Sequence, residues 1–448
     1  MTALLASTNS PLTSGAGTGE RSAQVLGYRT PTVVLALVLL YTLLFTQIID
    51  GSFSLGGDVD STLFETASRS NTINQAFWFL LLACSIALVI MRKTDPFNAA
   101  RACLPLLVYL LWSAAVLPWA ADRHIALRRL LLQFCIVGSV WLPIATIRDA
   151  THVRRILLYT LFAVVLINAA AIPVLKPTAL GYAGLFSQKN SLGAVAAIAF
   201  ITFLFGLPSE RPADRAASVA GLALSLALLV LSKSKTSMIL ASAVPLMTWI
   251  IGALARSLRF RPAAVTLTIA AVSACATVVA LSFGMRSDVA LHMLFGGDTF
   301  TGRTAIWSFA WTEFLTRPLI GFGFNGFWGV GANSAATYSN NAFFSDILQA
   351  HQGYLDVLLE TGVTGFVIFV ALLLAALRNC SRVLHLRGGG LFLAITLFFI
   401  FHNFFESSAF RRFEPAWVVF LFAATAAGLE PPRTRSADQR SSREAVSC

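Results

Sequence analysis

A handful of polar side chains in this chain have the types and spacing for phosphate and hydroxyl chemistry. Arg303, in TGRTAIW, precedes a stretch of helical periodicity, which sets a guanidinium beside the free amides of a helix start. Both groups donate hydrogen bonds, the guanidinium with a full and the amides with a partial positive charge, so together they suit a phosphate. The alternative is an arginine paired with Asp298 or Glu313. His351 opens AHQGYLDVLLETG, where His351, Tyr354, Leu355, Leu358 and Leu359 share one helical face and Gly362 suits the stop. A histidine on such a face more often packs than reacts, but a helix start favours the neutral imidazole, which accepts a proton from a hydroxyl. Lys189 and Asn190 lie in GLFSQKNSLGA, where Ser187 or Asn190 can cap a helix, and Lys233 and Lys235 lie in the short LSKSKTS hairpin. With Arg411 these lysines sit at the edges of apolar stretches. Such placement suits either an anionic lipid phosphate or plain anchoring at a membrane interface.

The elements that must position these residues are membrane helices. The 448-residue chain is 56% hydrophobic and 12% charged, with a mean hydropathy of +0.73, whereas soluble domains carry about 25% charged residues. The expected fold class is an all-α polytopic membrane protein. The net charge of +12 is scattered between apolar runs, which argues against nucleic-acid binding. The six cysteines include no C-x-x-C pair, so neither a disulfide framework nor a zinc site is indicated.

A span takes about 20 apolar residues. Twelve candidates fall near 31–49, 75–91, 102–119, 125–145, 156–175, 191–207, 217–231, 237–254, 263–283, 363–377, 389–404 and 415–428. The first is too long for a signal-peptide core and reads as an uncleaved helix. With a cytoplasmic N-terminus, 20 of the 33 Lys and Arg residues fall on inner segments, so the positive-inside rule puts both termini in the cytoplasm. The expected organisation is a flexible tail at 1–30, spans 1–9 over 31–283, an outer loop at 284–362 between spans 9 and 10, spans 10–12 over 363–428 and a tail at 429–448. Inside the loop, Trp307, Ala310, Trp311, Phe314 and Leu315 form an apolar stripe, and Pro318 ends that helix. A short amphipathic helix of this kind lies at the membrane interface or packs on the spans.

Three other motifs are weaker. Gly321-Phe322-Gly323-Phe324-Asn325-Gly326 matches G-x-G-x-x-G but follows a helix, so it is read as a flexible turn and not a dinucleotide site. Asp58-Val59-Asp60 is a D-x-D that could hold a metal ion but is of the kind that occurs readily by chance. Glu406 with His402 suits either a proton relay or a structural polar cluster.

The ordered set FSQKN, SKSKTS, TGRTAIW with RPLIGFGFNGF, and AHQGYLDVLLETGVTG resembles the O-antigen ligase and polymerase superfamily, and within it most the exopolysaccharide polymerases. The resemblance covers roughly residues 100–425, and Gln352 stands where the family often has Asn. It implies a C-type glycosyltransferase-like fold in the bacterial inner membrane, with a periplasmic catalytic loop at 284–362. It implies a polymerase that joins repeat units carried on undecaprenyl pyrophosphate, by inverting transfer without metal or other cofactor. Arg303, Lys235, Lys233, Lys189, Asn190 and Arg411 would bind the substrates, and His351 with Arg303 would be catalytic. The implied partners are the lipid-linked donor and acceptor, the bilayer, and chain-length and export proteins. The competing readings are an O-antigen ligase that delivers glycan to lipid A-core, and a flippase or transporter. No two-half repeat of the kind common in transporters is evident in the sequence.

Overall fold

The computed structural model describes residues 30–45, 72–95, 104–147, 149–282, 303–330, 347–384, 388–411 and 414–429. Each expected span falls on a helix: α1 (Thr30–Leu44), α2 (Thr72–Arg92), α3 (Leu104–Ala115), α4 (Arg123–Ala145), α5 (Ala150–Ala170), α6 (Lys189–Gly206), α7 (Pro212–Ser232), α8 (Lys235–Ser257), α9 (Pro262–Ser282), α11 (Gly353–Arg382), α12 (Gly390–His402) and α13 (Pro415–Ala426). The remaining helix, α10 (Arg303–Thr316), belongs to the long loop. Among the described residues, seven helices, α2, α4 to α8 and α11, are long and apolar enough to cross a bilayer. The chain is therefore a multi-pass, all-α membrane protein. Among the described residues the β pairing is a single bridge, Thr178 to Gly181. Most of both expected tails, Asp58 and Asp60, Asp298, Arg412, and loop residues 283–302 and 331–346 lie outside the described residues.

Helix starts follow local chemistry. The Asp122 and Asp149 carboxylates cap α4 and α5 by accepting from Ile125 N and Thr151 N. Pro212 and Pro415 occupy first-turn positions, where their missing N–H costs nothing. Hydroxyls inside the spans bond back one turn, as Ser85 does to Leu81 O and Thr202 to Ile198 O, because lipid supplies no other partner.

The two shortest late helices form the centre. Every residue of α13 is buried, as is α12 from Gly390 to Phe399. Phe399 stacks on Phe420 at 4.3 Å, and Trp417 reaches Gln133 Oε1 on α4 at 3.1 Å. At a rise of about 1.5 Å per residue neither helix crosses about 30 Å of hydrocarbon alone. The irregular backbone between them is tolerated because protein surrounds it and satisfies it. Asn403 Oδ1 accepts from Ser408 N and Ala409 N, and Gln133 Nε2 donates to Phe410 O at 2.8 Å.

At the same end of the bundle, α10, the turn-rich run 317–330 and the start of α11 pack into one cap. The buried face of α10 is Ile306, Ala310 and Phe314, while Trp311 and Leu315 are exposed. The expected stripe is thus rotated toward Ile306, and Trp311 and Leu315 form an uncovered apolar edge of the kind an interfacial helix presents. Residues 321–330 are buried throughout. The glycines of the GFGFNG turn admit protein backbone: a Cβ on Gly321 would lie 2.6 Å from the Glu360 carbonyl carbon. Arg129 donates to Asn325 O, to Trp328 O at 3.0 Å and to Gly329 O at 2.6 Å, so the turn is clamped and not the flexible one expected.

Gly362 ends the first part of α11, as its residue type suggests, with φ +68° and ψ −175°. The chain then resumes helix as the span, with Val363 N donating to Pro318 O at 2.8 Å. A Cβ on Gly362 would lie 2.2 Å from Leu319 O. Gly362→Ala therefore adds a backbone clash to an unfavourable φ. We expect it to destabilise the protein by about 2 kcal/mol or more, read as a lower melting temperature of the purified protein.

Candidate active site

The segment joining α12 to α13 leaves α12 with its turn fixed by Asn403, so that Glu406 lies inside the cap. Three stretches of chain converge on its carboxylate. Arg303, the first residue of α10, donates from Nη2 to Glu406 Oε1 at 2.9 Å and from Nη1 to Phe405 O at 2.7 Å. Asn190, in the first turn of α6, donates to Oε1 at 3.1 Å. His351 Nδ1 lies 3.1 Å from Oε2. The Glu406 side chain is only 13% exposed, whereas Arg303 and His351 keep 20% and 27%. Burial pushes the Glu406 carboxyl up, but the His351 hydrogen bond and the nearby Arg303 charge outweigh it and hold it at about 2.

His351 stands just outside α11, not on its first turn. Gln352 is the N-cap, its side chain accepting from Leu355 N. Gln352 thus caps the helix with one more methylene than an Asn would have. Ser407 Oγ accepts from Gln352 N at 3.0 Å, and Asn403 O accepts from Gly353 N at 2.8 Å. The segment that carries Glu406 therefore also caps the helix that follows His351. His351 itself has φ +53°, a left-handed conformation that a side-chain-bearing residue keeps only where its surroundings enforce it.

With Glu406 ionised, the bond to Nδ1 requires the proton on that nitrogen, which leaves Nε2 as the acceptor. The same division of labour lets a carboxylate orient a histidine base in hydrolytic triads. Arg303 spends part of a five-donor fork on Glu406 and Phe405 and has further N–H groups to offer.

The remaining expected residues are distributed around this cluster. Lys189 adjoins Asn190 and reaches Leu180 O at 2.9 Å. Lys233 has a left-handed φ of +53° at the end of α7 and reaches Ala179 O at 3.1 Å. Lys235 begins α8 and is exposed. Arg411 lies in a separate cluster, paired with Asp356 at 2.8 Å and Glu360 at 3.0 Å and donating to Asn325 Oδ1 at 2.6 Å. His402 bonds Ser408 Oγ at 2.8 Å inside the protein. The partner of Arg303 is Glu406, and not Glu313 of its own helix. Among the described residues no three His, Cys, Asp or Glu side chains gather as metal ligands would.

The Glu406 pairing dictates a pH response. Its folded value, about 2, lies below the ordinary 4.5, so its stabilising contribution is complete above about 4.5 and fades as pH falls toward 2. We expect Glu406→Gln to lower the melting temperature by a constant amount between pH 5 and 8, equivalent to about 3 kcal/mol. The gap to the parent protein should close below pH 4.5. A gap unchanged at pH 3.5 would show that the carboxylate charge is not what binds the cluster.

Residues 220–370 match the family model described as O-antigen ligase. That stretch contains Lys233, Lys235, Arg303 and His351 and stops short of Glu406. The chain is 28% identical over 202 residues to the exopolysaccharide production protein ExoQ of Rhizobium meliloti (strain 1021), a match covering 44% of this chain and 46% of that protein. The aligned part thus spans about half the length of the relative. Motif order, family match and relative agree: this multi-pass chain resembles the O-antigen ligase and polymerase superfamily.

Proposed function

We propose that the protein is a polysaccharide polymerase of exopolysaccharide synthesis, acting at the periplasmic face of the inner membrane. The observation that carries this reading is Glu406, which binds a guanidinium and an imidazole in one partly open cluster beside the start of α6. The family match and the exopolysaccharide relative support the substrate class.

In this reading the donor is a glycan on undecaprenyl pyrophosphate and the acceptor is a sugar hydroxyl of a second lipid-linked repeat. The hydroxyl oxygen attacks the anomeric carbon as the bond to the pyrophosphate oxygen breaks, and the electron pair leaves with the phosphate. Attack from the opposite face inverts the anomeric centre. The hydroxyl proton passes to His351 Nε2, while Glu406 holds Nδ1 and fixes the ring. Pyrophosphate is already a good leaving group, so charge neutralisation matters more than protonation. Arg303 supplies it from the side facing the cluster, with Lys235, Lys233 and Lys189 at the tips of α6 to α8, where Asn190 adds a neutral hydrogen-bond donor. No step calls on a metal. Arg411, held between two carboxylates, supports the cap and does not meet the phosphates directly.

His351→Ala and Arg303→Ala should each lower the rate by about 100-fold or more, compared at equal amounts of folded protein in the membrane. The measurement is polymer formed from defined lipid-linked repeats by purified, reconstituted protein, with and without EDTA. Full-rate polymerisation by His351→Ala would remove the base assignment, and loss of activity in EDTA with rescue by a divalent metal would return attention to Asp58 and Asp60. Gene disruption separates polymerase from ligase: loss of secreted polymer with intact lipopolysaccharide is the expected result.

A further inference from the structure

The opposite end of the bundle holds a second polar site that the proposed chemistry does not use. The chain alternates direction through α5, α6 and α7, so the start of α5, the end of α6 and the start of α7 lie together, away from Asn190 and Lys235. Between them is a cavity of about 330 Å³ whose lining includes Arg154, Arg155, Arg211, Thr151, Ser209 and Gly388. This volume is within the range of small-ligand sites.

The arginines are held in a built arrangement. Asp214, 6% exposed, accepts from Arg155 Nε at 2.9 Å, Tyr159 OH at 2.6 Å and Ser209 Oγ at 3.2 Å. Its lone pairs are thereby engaged, and Arg155 is fixed through Nε, with no other described hydrogen bond on its two terminal nitrogens. Arg154 donates to Thr151 Oγ1 at 2.7 Å and lies over the Phe392 ring, 5.8 Å from its centroid. Gly388, with φ +71°, brings the backbone so close that a Cβ would sit 3.2 Å from Arg154 Nε. Arg211 is exposed at the start of α7. The lining carries three arginines against two acids, Glu210 and Asp214, and even with Asp214 paired to Arg155 one cation is in excess. The starts of α5, α7 and α12 also border the cavity, and each presents the positive end of a helix dipole.

We infer that this cavity binds the phosphate group of an anionic lipid, phosphatidylglycerol-like in charge, from the leaflet opposite the Glu406 cluster. A lipid is favoured over a soluble phosphate because the cavity opens among helices that span the bilayer and its wall includes Leu158, Phe205 and Leu391. Basic pockets between the inner ends of membrane helices take such head groups. The positive-inside reading makes this the cytoplasmic leaflet, although binding itself does not depend on which way the protein faces.

The test uses full-length protein in nanodiscs of phosphatidylcholine alone or mixed with phosphatidylglycerol, with native mass spectrometry counting retained lipid. The parent protein should retain phosphatidylglycerol in preference to phosphatidylcholine. Arg155→Gln should weaken that retention by about tenfold or more, the loss of one charge-assisted contact. Because Arg155 also holds Asp214, Arg211→Gln is the second variant: it leaves that pair intact and should weaken retention in the same direction. Equal retention of the two lipids, or parent-like retention by both variants, would overturn the proposal. A third arm adds inorganic phosphate or pyrophosphate to protein in phosphatidylcholine alone. Stabilisation there without selective phosphatidylglycerol retention would assign the site to a soluble phosphate and overturn the lipid assignment. Polymerisation by Arg211→Gln need not change for the lipid site to stand, so this result and failure of the polymerase reading are separable.

Discussion

A carboxylate taken out of water costs several kcal/mol unless its lone pairs are matched, and in Glu406 that match can be made only by distant parts of the chain. Asn190 comes from the start of α6, Arg303 from the start of α10 and His351 from the residue before the α11 cap. Remove any of these segments and a buried charge is left short of donors. The pairing therefore acts as a register mark for the whole cap, fixing where the long loop returns and where the segment between α12 and α13 folds back. Asn403 and Ser407 enforce the same register through backbone groups.

The cap contains a second charged cluster, and comparison of the two separates support from chemistry. Asp356, Glu360 and Arg411 are 3%, 5% and 14% exposed, and Arg411 is further engaged by Asn325. Burial pushes the Glu360 carboxyl up, against the pull of Arg411, as expected where one cation serves two acids. Nothing large can enter there without breaking it. Trp328 donates to Asp356 at 2.8 Å, which ties this closed cluster to the turn that Arg129 clamps. The Glu406 cluster is different because its cation and imidazole remain partly open. One cluster holds the cap rigid so that the other can present its groups.

The helical framework was legible because a bilayer leaves few options. Apolar runs mark the helices, and each expected segment overlaps one, although only some reach the length of a span. Arg303 and His351 stood out as polar residues beside helix starts in an apolar chain. Glu406 did not, because its partners lie 55, 103 and 216 residues away in sequence, and no local period reports such a contact. The only signal was an acid in the run HNFFESSAFRRFEP, read beside His402, its neighbour in sequence. The α10 stripe was misplaced for a related reason. Periodicity finds an apolar face, but packing beneath the cap selects Ile306 over Leu315, and Trp311 and Leu315 stay exposed. The GFGFNG turn read as flexible, whereas its glycines pack against backbone of the same protein and Arg129 clamps it, contacts that no local pattern reports.

The shared carboxylate also bears on how two substrates could be handled in order. Arg303 and His351 lean on different oxygens of one group, Oε1 and Oε2. On the proposed mechanism, a pyrophosphate that draws Arg303 toward itself takes away part of the charge that offsets Glu406. More of the carboxylate's field then falls on the Nδ1 proton of His351, and Nε2 becomes the stronger acceptor. Donor binding would thus prepare the base before the acceptor hydroxyl arrives, with no movement larger than a guanidinium changing partners. An arrangement with separate carboxylates for Arg303 and His351 would lack that coupling, which is a physical reason for one acid to serve both.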